Sequence, residues 1–259
     1  MGRKLGQHFL KNNAILDSVA SSIDISGKST IIEIGPGHGE LTERIKIRLL
    51  KEDPQKKIKI VAIEKDPFLA AELQKKFANE KHVTVICGDA RSELKKIADL
   101  ISTEYVVLGN IPYYITGYIF RIIGSLRKKP AQVLFVIQKE VAERIVANPP
   151  RMNLLAACVQ VWASPAIKKI ISKEEFSPPP KVDSAVIELS AKEIHVPNSY
   201  YQTAKIIFTH PRKTLLNNLS LKISKKEIEV YMRELGISSR ARPQDISIAQ
   251  IFQLTEKIK

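Results

Sequence analysis

Thr30-Ile-Ile-Glu-Ile-Gly-Pro-Gly-His-Gly-Glu40 is the stretch that decides the fold. Residues 30–34 are β-branched or apolar apart from Glu33 and read as a strand. Three of the chain's 11 glycines then fall within five residues, at Gly35, Gly37 and Gly39. A helical pattern, 40–50, begins immediately after them. A glycine-rich turn from strand to helix is where backbone must pass close to a bound nucleotide. A dinucleotide fingerprint would need its third glycine at position 40, and Glu40 stands there instead. Glu33 and Glu40 leave the turn acidic, which suits a cationic ligand better than a pyrophosphate.

Outward from this turn, β-branched runs at 58–63, 83–86, 105–108 and 133–137 read as strands buried on both faces. Helical patterns separate them at 67–77, 92–100 and 116–126. In the first of these, Leu69, Leu73 and Phe77 recur at i, i+4 and i+8, and Pro67 suits its first turn. Strand–helix alternation of this kind predicts an α/β fold, a parallel sheet with helices on both faces. Residues 182–189 read as one more strand, paired with 166–171. After Pro197 only helices are expected. One spans 225–235 and is closed by Gly236, and another carries the stripe Ile248, Ile251, Leu254 and Ile258. These features predict a catalytic domain over 1–191 and a small helical domain over 192–259.

The 259 residues carry 41 Lys and Arg against 27 Asp and Glu, a formal net charge of +14. A field of that sign suits a polyanionic partner, of which nucleic acid is the first to consider. Residues 191–259 hold 12 basic against 6 acidic side chains, about twice the basic excess per residue of the remainder. Arg3, Lys4 and Lys11 add charge at the other end without an intervening acid. Both ends are therefore expected to meet phosphates. Cys87 and Cys158 form neither a disulfide framework nor a four-thiolate zinc site and fit a reducing compartment. No apolar run is long enough for a membrane span. The N-terminus has no apolar core of a secretory signal, and Gly6 breaks the myristoylation pattern. The expectation is a cytoplasmic protein, without membrane or metal, acting as a monomer. His38, His82, His195 and His210 show no metal-ligand spacing.

Two further acids end strands. Glu64 closes the second, where a carboxylate can accept both hydroxyls of a ribose. Asp89, in Gly88-Asp-Ala90, follows the third, where it can accept from an adenine amino group. With the acidic turn they describe an adenosine bearing a positive charge, which is S-adenosylmethionine. The fourth strand runs into Leu108-Gly-Asn-Ile-Pro-Tyr-Tyr114. An exocyclic amine on a base is a poor nucleophile because its lone pair is delocalised into the ring. If Asn110 and a nearby carbonyl accept its two N–H groups, the nitrogen is drawn toward tetrahedral geometry and its lone pair can face a sulfonium methyl. Pro112 stiffens the loop. Tyr113 offers a face for the target base, a stack worth ~1–3 kcal/mol. Phe176, held by Ser177-Pro-Pro-Pro-Lys181, can cover the other face, and Lys181 can meet a phosphate.

These stretches, together with Gly6-Gln-His-Phe-Leu10, Gln138-Lys-Glu-Val-Ala-Glu-Arg144 and Arg212-Lys-Thr-Leu-Leu-Asn-Asn-Leu219, resemble the small-subunit ribosomal RNA adenine N6,N6-dimethyltransferases over nearly the whole chain. The resemblance implies a Rossmann-like class I S-adenosylmethionine-dependent methyltransferase sheet with a small helical C-terminal domain. It implies double methylation of two adjacent adenosines in a hairpin loop near the 3′ end of small-subunit rRNA, during ribosome biogenesis. It places His8 and Leu10 over the cofactor, with Gly35, Gly37 and Ala90 around it, and Arg212 and Lys213 on RNA. Two segments depart from the family pattern. Asn148-Pro-Pro-Arg-Met-Asn153 replaces a Ser-Lys-x-Tyr-Gly-like loop, and His210-Pro211 stands where another basic residue is usual. Three other readings compete. A large-subunit adenine methylase fits the Arg212–Leu219 stretch less well. A non-catalytic assembly factor does not need Gly35, Gly37, Glu64, Asp89 and Asn110 intact, and a dehydrogenase is disfavoured by Glu40 and the acidic turn.

Overall fold

The computed structural model describes residues 8–55 and 57–258. Arg3, Lys4 and the Gly6-Gln7 start of the N-terminal motif lie outside the described residues. In chain order the elements are β1 Phe9–Leu10, α1 Asn13–Ser21, β2 Lys28–Ile34, α2 Glu40–Glu52, β3 Lys59–Glu64, α3 Pro67–Lys76, β4 Val83–Cys87, α4 Ala90–Asp99, β5 Glu104–Asn110 and α5 Thr116–Ser125. There follow β6 Gln132–Gln138, α6 Lys139–Ile145, α7 Leu154–Gln160, β7 Ala163–Ile171, β8 Phe176–Ser177, β9 Ser184–Ala191, α8 Asn198–Ile207, α9 Leu215–Leu219, α10 Lys225–Glu234 and α11 Ile248–Lys257.

Seven strands form one sheet in the order β4-β3-β2-β5-β6-β9-β7. The chain moves outward from β2 through β3 to β4, then returns to place β5 on the other side of β2. The reversal puts a switch point between β2 and β5, the place where open α/β sheets bind ligands beyond the carboxyl ends of their strands. The parallel register aligns those ends: Ile34 lies opposite Ile63 and Gly109, and Glu64 opposite Cys87. Ile31, Ile60, Val106, Val107 and Leu134 are 0–1% exposed, as strands covered on both faces require. The sheet is mixed rather than wholly parallel, because β9 runs antiparallel to β6.

Two acids cap the helices that follow the strands. Asp66 accepts from the backbone N–H groups of Phe68 and Leu69, with Pro67 in the first turn of α3. Asp89 accepts from the N–H of Arg91, so α4 starts at Ala90, two residues earlier than periodicity indicates. A second sheet, of β1 and β8 only, pairs Phe9 with Ser177 and Leu10 with Phe176. Lys11 N–H donates to the Glu175 carbonyl at 2.9 Å and Asn12 Nδ2 to the Glu175 carboxylate at 2.9 Å, extending this staple.

The chain forms two compact units. One runs to Ala142 and includes Ala166–Ala191; the other comprises Glu143–Pro165 and Lys192–Lys259. The single boundary expected at 191/192 is therefore joined by an earlier excursion, which brings α7 into the helical unit. Hydrogen bonds account for it. Tyr200 Oη donates to the Ala157 carbonyl at 3.1 Å, and Met152 N–H donates to the Gln244 carbonyl at 3.1 Å. The helices of this unit carry the expected stops and starts. Ser224 and Glu227 form a capping box on α10, and Gly236 leaves it with φ +63°.

Candidate active site

A cleft of about 810 Å³, counting its mouth, lies at the carboxyl ends of the parallel strands. It is lined by Gly35 and Gly37 from the turn after β2, Glu64 and Lys65 at the end of β3, Gly88, Asp89 and Ala90 after β4, and Asn110 through Ile115 from the end of β5 onward. His8, Phe9 and Phe176 complete it from the β1–β8 staple. The cleft thus gathers most of the residues expected from the sequence: His8, Gly35, Gly37, Glu64, Asp89, Ala90, Asn110, Pro112, Tyr113 and Phe176.

Gly37 shows why this turn needs glycine. Its φ is +62°, and a Cβ there would sit 2.8 Å from two carbons of the Phe9 ring. Its N–H donates to Glu64 Oε2 at 3.1 Å, while Asp66 N–H donates to Glu64 Oε1 at 2.9 Å. Two backbone donors thereby fix the orientation of a carboxylate that is only 3% exposed. Burial raises the Glu64 pKa above the ordinary carboxylate range, opposed by the hydrogen bonds from Asp66 and Gly37. Asp89 is pulled the other way. Arg91 Nε contacts both its oxygens at 3.0 Å and Arg91 Nη2 one of them at 2.6 Å, with Lys65 Nζ at 3.1 Å. That bidentate pair holds Asp89 well below the usual range. The Asp89 oxygens are thus already engaged by two cations, which the sequence did not disclose.

Asn110 ends β5 and is half-buried. Its Nδ2 donates to the His8 carbonyl at 2.7 Å, which leaves Oδ1 as the acceptor for a bound amine. His8 is itself pinned, its Nδ1–H donating to the Pro178 carbonyl at 2.8 Å. The Tyr113 hydroxyl bonds to Ser184 Oγ at 2.8 Å, anchoring the phenol end of the ring beside the cleft. Burial raises the Tyr113 pKa, so the hydroxyl stays protonated. Phe176 is 4% exposed and packs in the same apolar cluster as Leu10 and Val186.

One expectation needs correction. Glu33 does not contribute to this cleft. Alternation along β2 sends Ile34 to the cleft and Glu33 to a smaller cavity, lined also by Leu10, Leu41, Glu40 and Val136. The acidity of the cleft therefore comes from Glu64, which ends β3, and Asp89, which follows β4. Leu10 lies beside the smaller cavity with its side chain 7% exposed and packed into the core, so only its backbone is placed to face a ligand. Phe9, Lys65 and Tyr114 line the cleft without having been singled out; Phe9 stood between two residues that had been.

Glu33 carries its own testable consequence. Its carboxylate accepts from Thr42 Oγ1 at 2.5 Å, and burial, with the charges of Glu40 and Glu64, pushes its pKa up to about 7. Between pH 4.5 and 7 the unfolded chain has lost this proton and the folded chain has kept it, so stability falls as pH rises through that window. The loss is on the order of 3 kcal/mol. Glu33→Gln removes this contribution, and its thermal midpoint is expected to drop less between pH 5 and pH 8 than that of the wild type. Parallel pH profiles for the two proteins would show that Glu33 is ionised throughout.

The RNA-facing candidates lie outside the cleft. Lys181 is exposed beside β8. Arg212 and Lys213 are exposed in the helical unit, on a turn braced by the fully buried Asn218. Asn218 Oδ1 accepts from His210 N–H at 2.8 Å, and Nδ2 donates to the His210 and Thr214 carbonyls at 3.1 and 3.0 Å. Among the described residues no group of three or more His, Cys, Asp or Glu is arranged to hold a metal ion, and no helix is long and apolar enough to cross a membrane.

The chain is similar in sequence to the ribosomal RNA small subunit methyltransferase A of Dehalococcoides mccartyi strain CBDB1, at 32% identity over 95% of this chain and 84% of that protein. The protein of the same name from Mycoplasma mycoides subsp. mycoides is 31% identical over 96% and 94%. In structure it is similar to a dimethyladenosine transferase from Plasmodium falciparum, with TM-score 0.77, 25% identity and coverage of 95% and 96% of the two chains. It shares its fold with the 23S rRNA methyltransferase ErmE, with TM-score 0.74, 21% identity and coverage of 96% and 99%. The family model for ribosomal RNA adenine dimethylases matches residues 1–259. With Glu64, Asp89 and Asn110 set at the carboxyl ends of β3, β4 and β5 in the one sheet, the chain belongs to the ribosomal RNA adenine dimethylase family.

Proposed function

We propose that the chain transfers methyl groups from S-adenosylmethionine to the N6 amines of two adjacent adenosines, twice each, in a hairpin loop near the 3′ end of small-subunit rRNA, acting as a cytoplasmic monomer during ribosome biogenesis. The observation that carries this reading is the Asn110 side chain, tied through Nδ2 to the His8 carbonyl in the same cleft that Glu64 and Asp89 line.

The cleft fits the methyl donor. Glu64, fixed by two backbone N–H groups, has the geometry to accept ribose hydroxyls, and Ile34, Ile63 and Ala90 supply apolar walls. Asp89 serves the adenine end once the ligand's amine takes the place of one of its contacts with Lys65 and Arg91, and Gly35 and Gly37 let the backbone pass close to the ligand. When bound, the cofactor supplies an electrophilic methyl group on a sulfonium.

The chain's own residues prepare the amine. Asn110 Oδ1 accepts one N–H and a loop carbonyl the other, drawing the nitrogen out of conjugation. Pro112 limits the loop's freedom. Tyr113 and Phe176 hold the base by its two faces, with Tyr113 steadied by Ser184. No strong general base is required, because the alkylated amine loses its proton readily; orientation supplies most of the rate. Lys181, Arg212 and Lys213 hold phosphates.

The reading is tested by incubating the protein with labelled S-adenosylmethionine and undermethylated small subunits, then mapping modified nucleosides by mass. Label in dimethyladenosine at two adjacent positions is expected, and label confined to other nucleosides overturns it. Reversing the charges of Arg212 and Lys213 is expected to weaken RNA binding at least tenfold at low salt. It should also reduce the slope of log K against log salt by about 1.4 to 1.8, the contribution of two phosphate contacts. An unchanged slope removes that turn from the RNA interface.

A further inference from the structure

A stripe of exposed aromatic and guanidinium groups leads away from the cleft. Tyr114 lines the cleft and is 62% exposed. Tyr118, four residues on, is 43% exposed, and the Arg121 guanidinium carbon lies 4.7 Å from the centre of its ring. Helix α5 buries Thr116, Ile119, Phe120 and Ile123, so Tyr118 and Arg121 occupy its outer face. Arg91, at the start of α4, lies within electrostatic reach of both tyrosines. Among the described residues only three aromatic side chains rank as exposed large hydrophobic groups, and two of them stand here in one row.

Core packing does not explain this row, since both rings stay exposed and the cover on Tyr118 includes a guanidinium. Flat faces interleaved with guanidinium groups match the needs of single-stranded nucleic acid: bases stack on the rings and phosphates meet the arginines. A base drawn into the cleft must also leave its neighbours unstacked, and in the proposed substrate one of those neighbours is the second target. We propose that Tyr114, Tyr118 and Arg121 form a stacking track for the nucleotides flanking the adenosine in the cleft. Tyr114 receives the adjacent base, the Tyr118–Arg121 pair receives the next base and its phosphate, and the waiting adenosine is kept in reach of Asn110. The track rests on the RNA-methylating reading, but it is judged by binding rather than by turnover.

The test uses the full chain and a hairpin oligoribonucleotide with two adjacent loop adenosines and 2-aminopurine at the next loop position. Affinity is read by anisotropy and stacking by 2-aminopurine fluorescence. Tyr118→Ala is expected to weaken binding about 5- to 100-fold and brighten the fluorophore in the complex. Tyr118→Phe should stay within about twofold of wild type, since the ring face remains. Arg121→Gln should weaken binding and reduce its salt dependence. Affinity for S-adenosylmethionine and the thermal midpoint should not move in these variants, because the altered side chains face solvent. Wild-type affinity and fluorescence in Tyr118→Ala overturn the track, as does a failure of the wild-type chain to bind the hairpin. Methyl transfer to the unlabelled hairpin separates the two ideas. A wild-type chain that methylates but ignores these substitutions refutes the track alone. One that binds with track-dependent stacking but transfers no methyl group refutes the reaction alone.

Discussion

Asn110→Ala is expected to lower the single-turnover rate of methyl transfer by about 100- to 1,000-fold, the range seen when one preorganised hydrogen-bonding group is removed from an active site. The substitution deletes Oδ1, the acceptor proposed to draw the amine nitrogen out of the ring plane. It also deletes Nδ2, whose bond to the His8 carbonyl holds the side chain in place. A single partly buried hydrogen bond contributes about 1 kcal/mol net, so the fold should survive with a small drop in thermal midpoint. RNA affinity should change little, since phosphates and stacked bases supply most of it. Asn110→Asp separates the two roles. It keeps two acceptor oxygens but sets a carboxylate against the His8 carbonyl with no proton between them. It too should be slow, by at least tenfold. Turnover within threefold of wild type in Asn110→Ala would remove Asn110 from the chemistry. Full activity in Asn110→Asp would show that the anchor to His8 is dispensable.

The residues behind that expectation were legible because they sit where sequence pattern and chemistry coincide. The run 30–34 reads as a strand, the glycines after it read as a close-approach turn, and an α/β sheet puts its ligand at the carboxyl ends of its strands. Glu64, Asp89 and Asn110 therefore fall together without any knowledge of loop geometry. The partners of these groups were not legible. His8 is 102 residues from Asn110, and β1 and β8 are two residues each, too short to show a period of two. Nothing local announces that Phe9 pairs with Ser177, yet this staple brings His8, Phe9 and Phe176 to the cleft. The side on which Glu33 lies was legible in principle. Successive strand residues face opposite ways, so Ile34 in the cleft requires Glu33 to face away from it. The ion pair of Asp89 with Arg91 depends on α4 starting at Ala90, and the helical period over 92–100 does not mark that start. The place of 143–165 with the helical unit depends on distant bonds such as that from Tyr200 to Ala157.

Gly109, the residue before Asn110, carries the second large effect, and it acts through the fold. Gly109 lies opposite Ile34 in the β2–β5 pair. A Cβ added there would lie 2.2 Å from the Ile34 carbonyl oxygen and 3.1 Å from its carbonyl carbon and nitrogen. Those atoms are backbone of a central strand, paired on its other side with β3, so no rotamer change relieves the overlap. Overpacking a core by side-chain contacts costs about 1–3 kcal/mol, and a clash with backbone exceeds that range. Gly109→Ala is accordingly expected to cost about 4 kcal/mol or more, a fall of ~8–16 °C in the thermal midpoint at 2–4 °C per kcal/mol. Gly117→Ala is the internal comparison. A Cβ at Gly117 meets nothing within 4 Å, and the residue lies in α5, where alanine is favoured by roughly 0.5–1 kcal/mol. Its midpoint should equal or exceed that of the wild type. If Gly109→Ala melted with the wild type, β2 and β5 would have to stand farther apart than the register requires. The placement of Asn110 against His8 would then lose its support, since both depend on the same strand end.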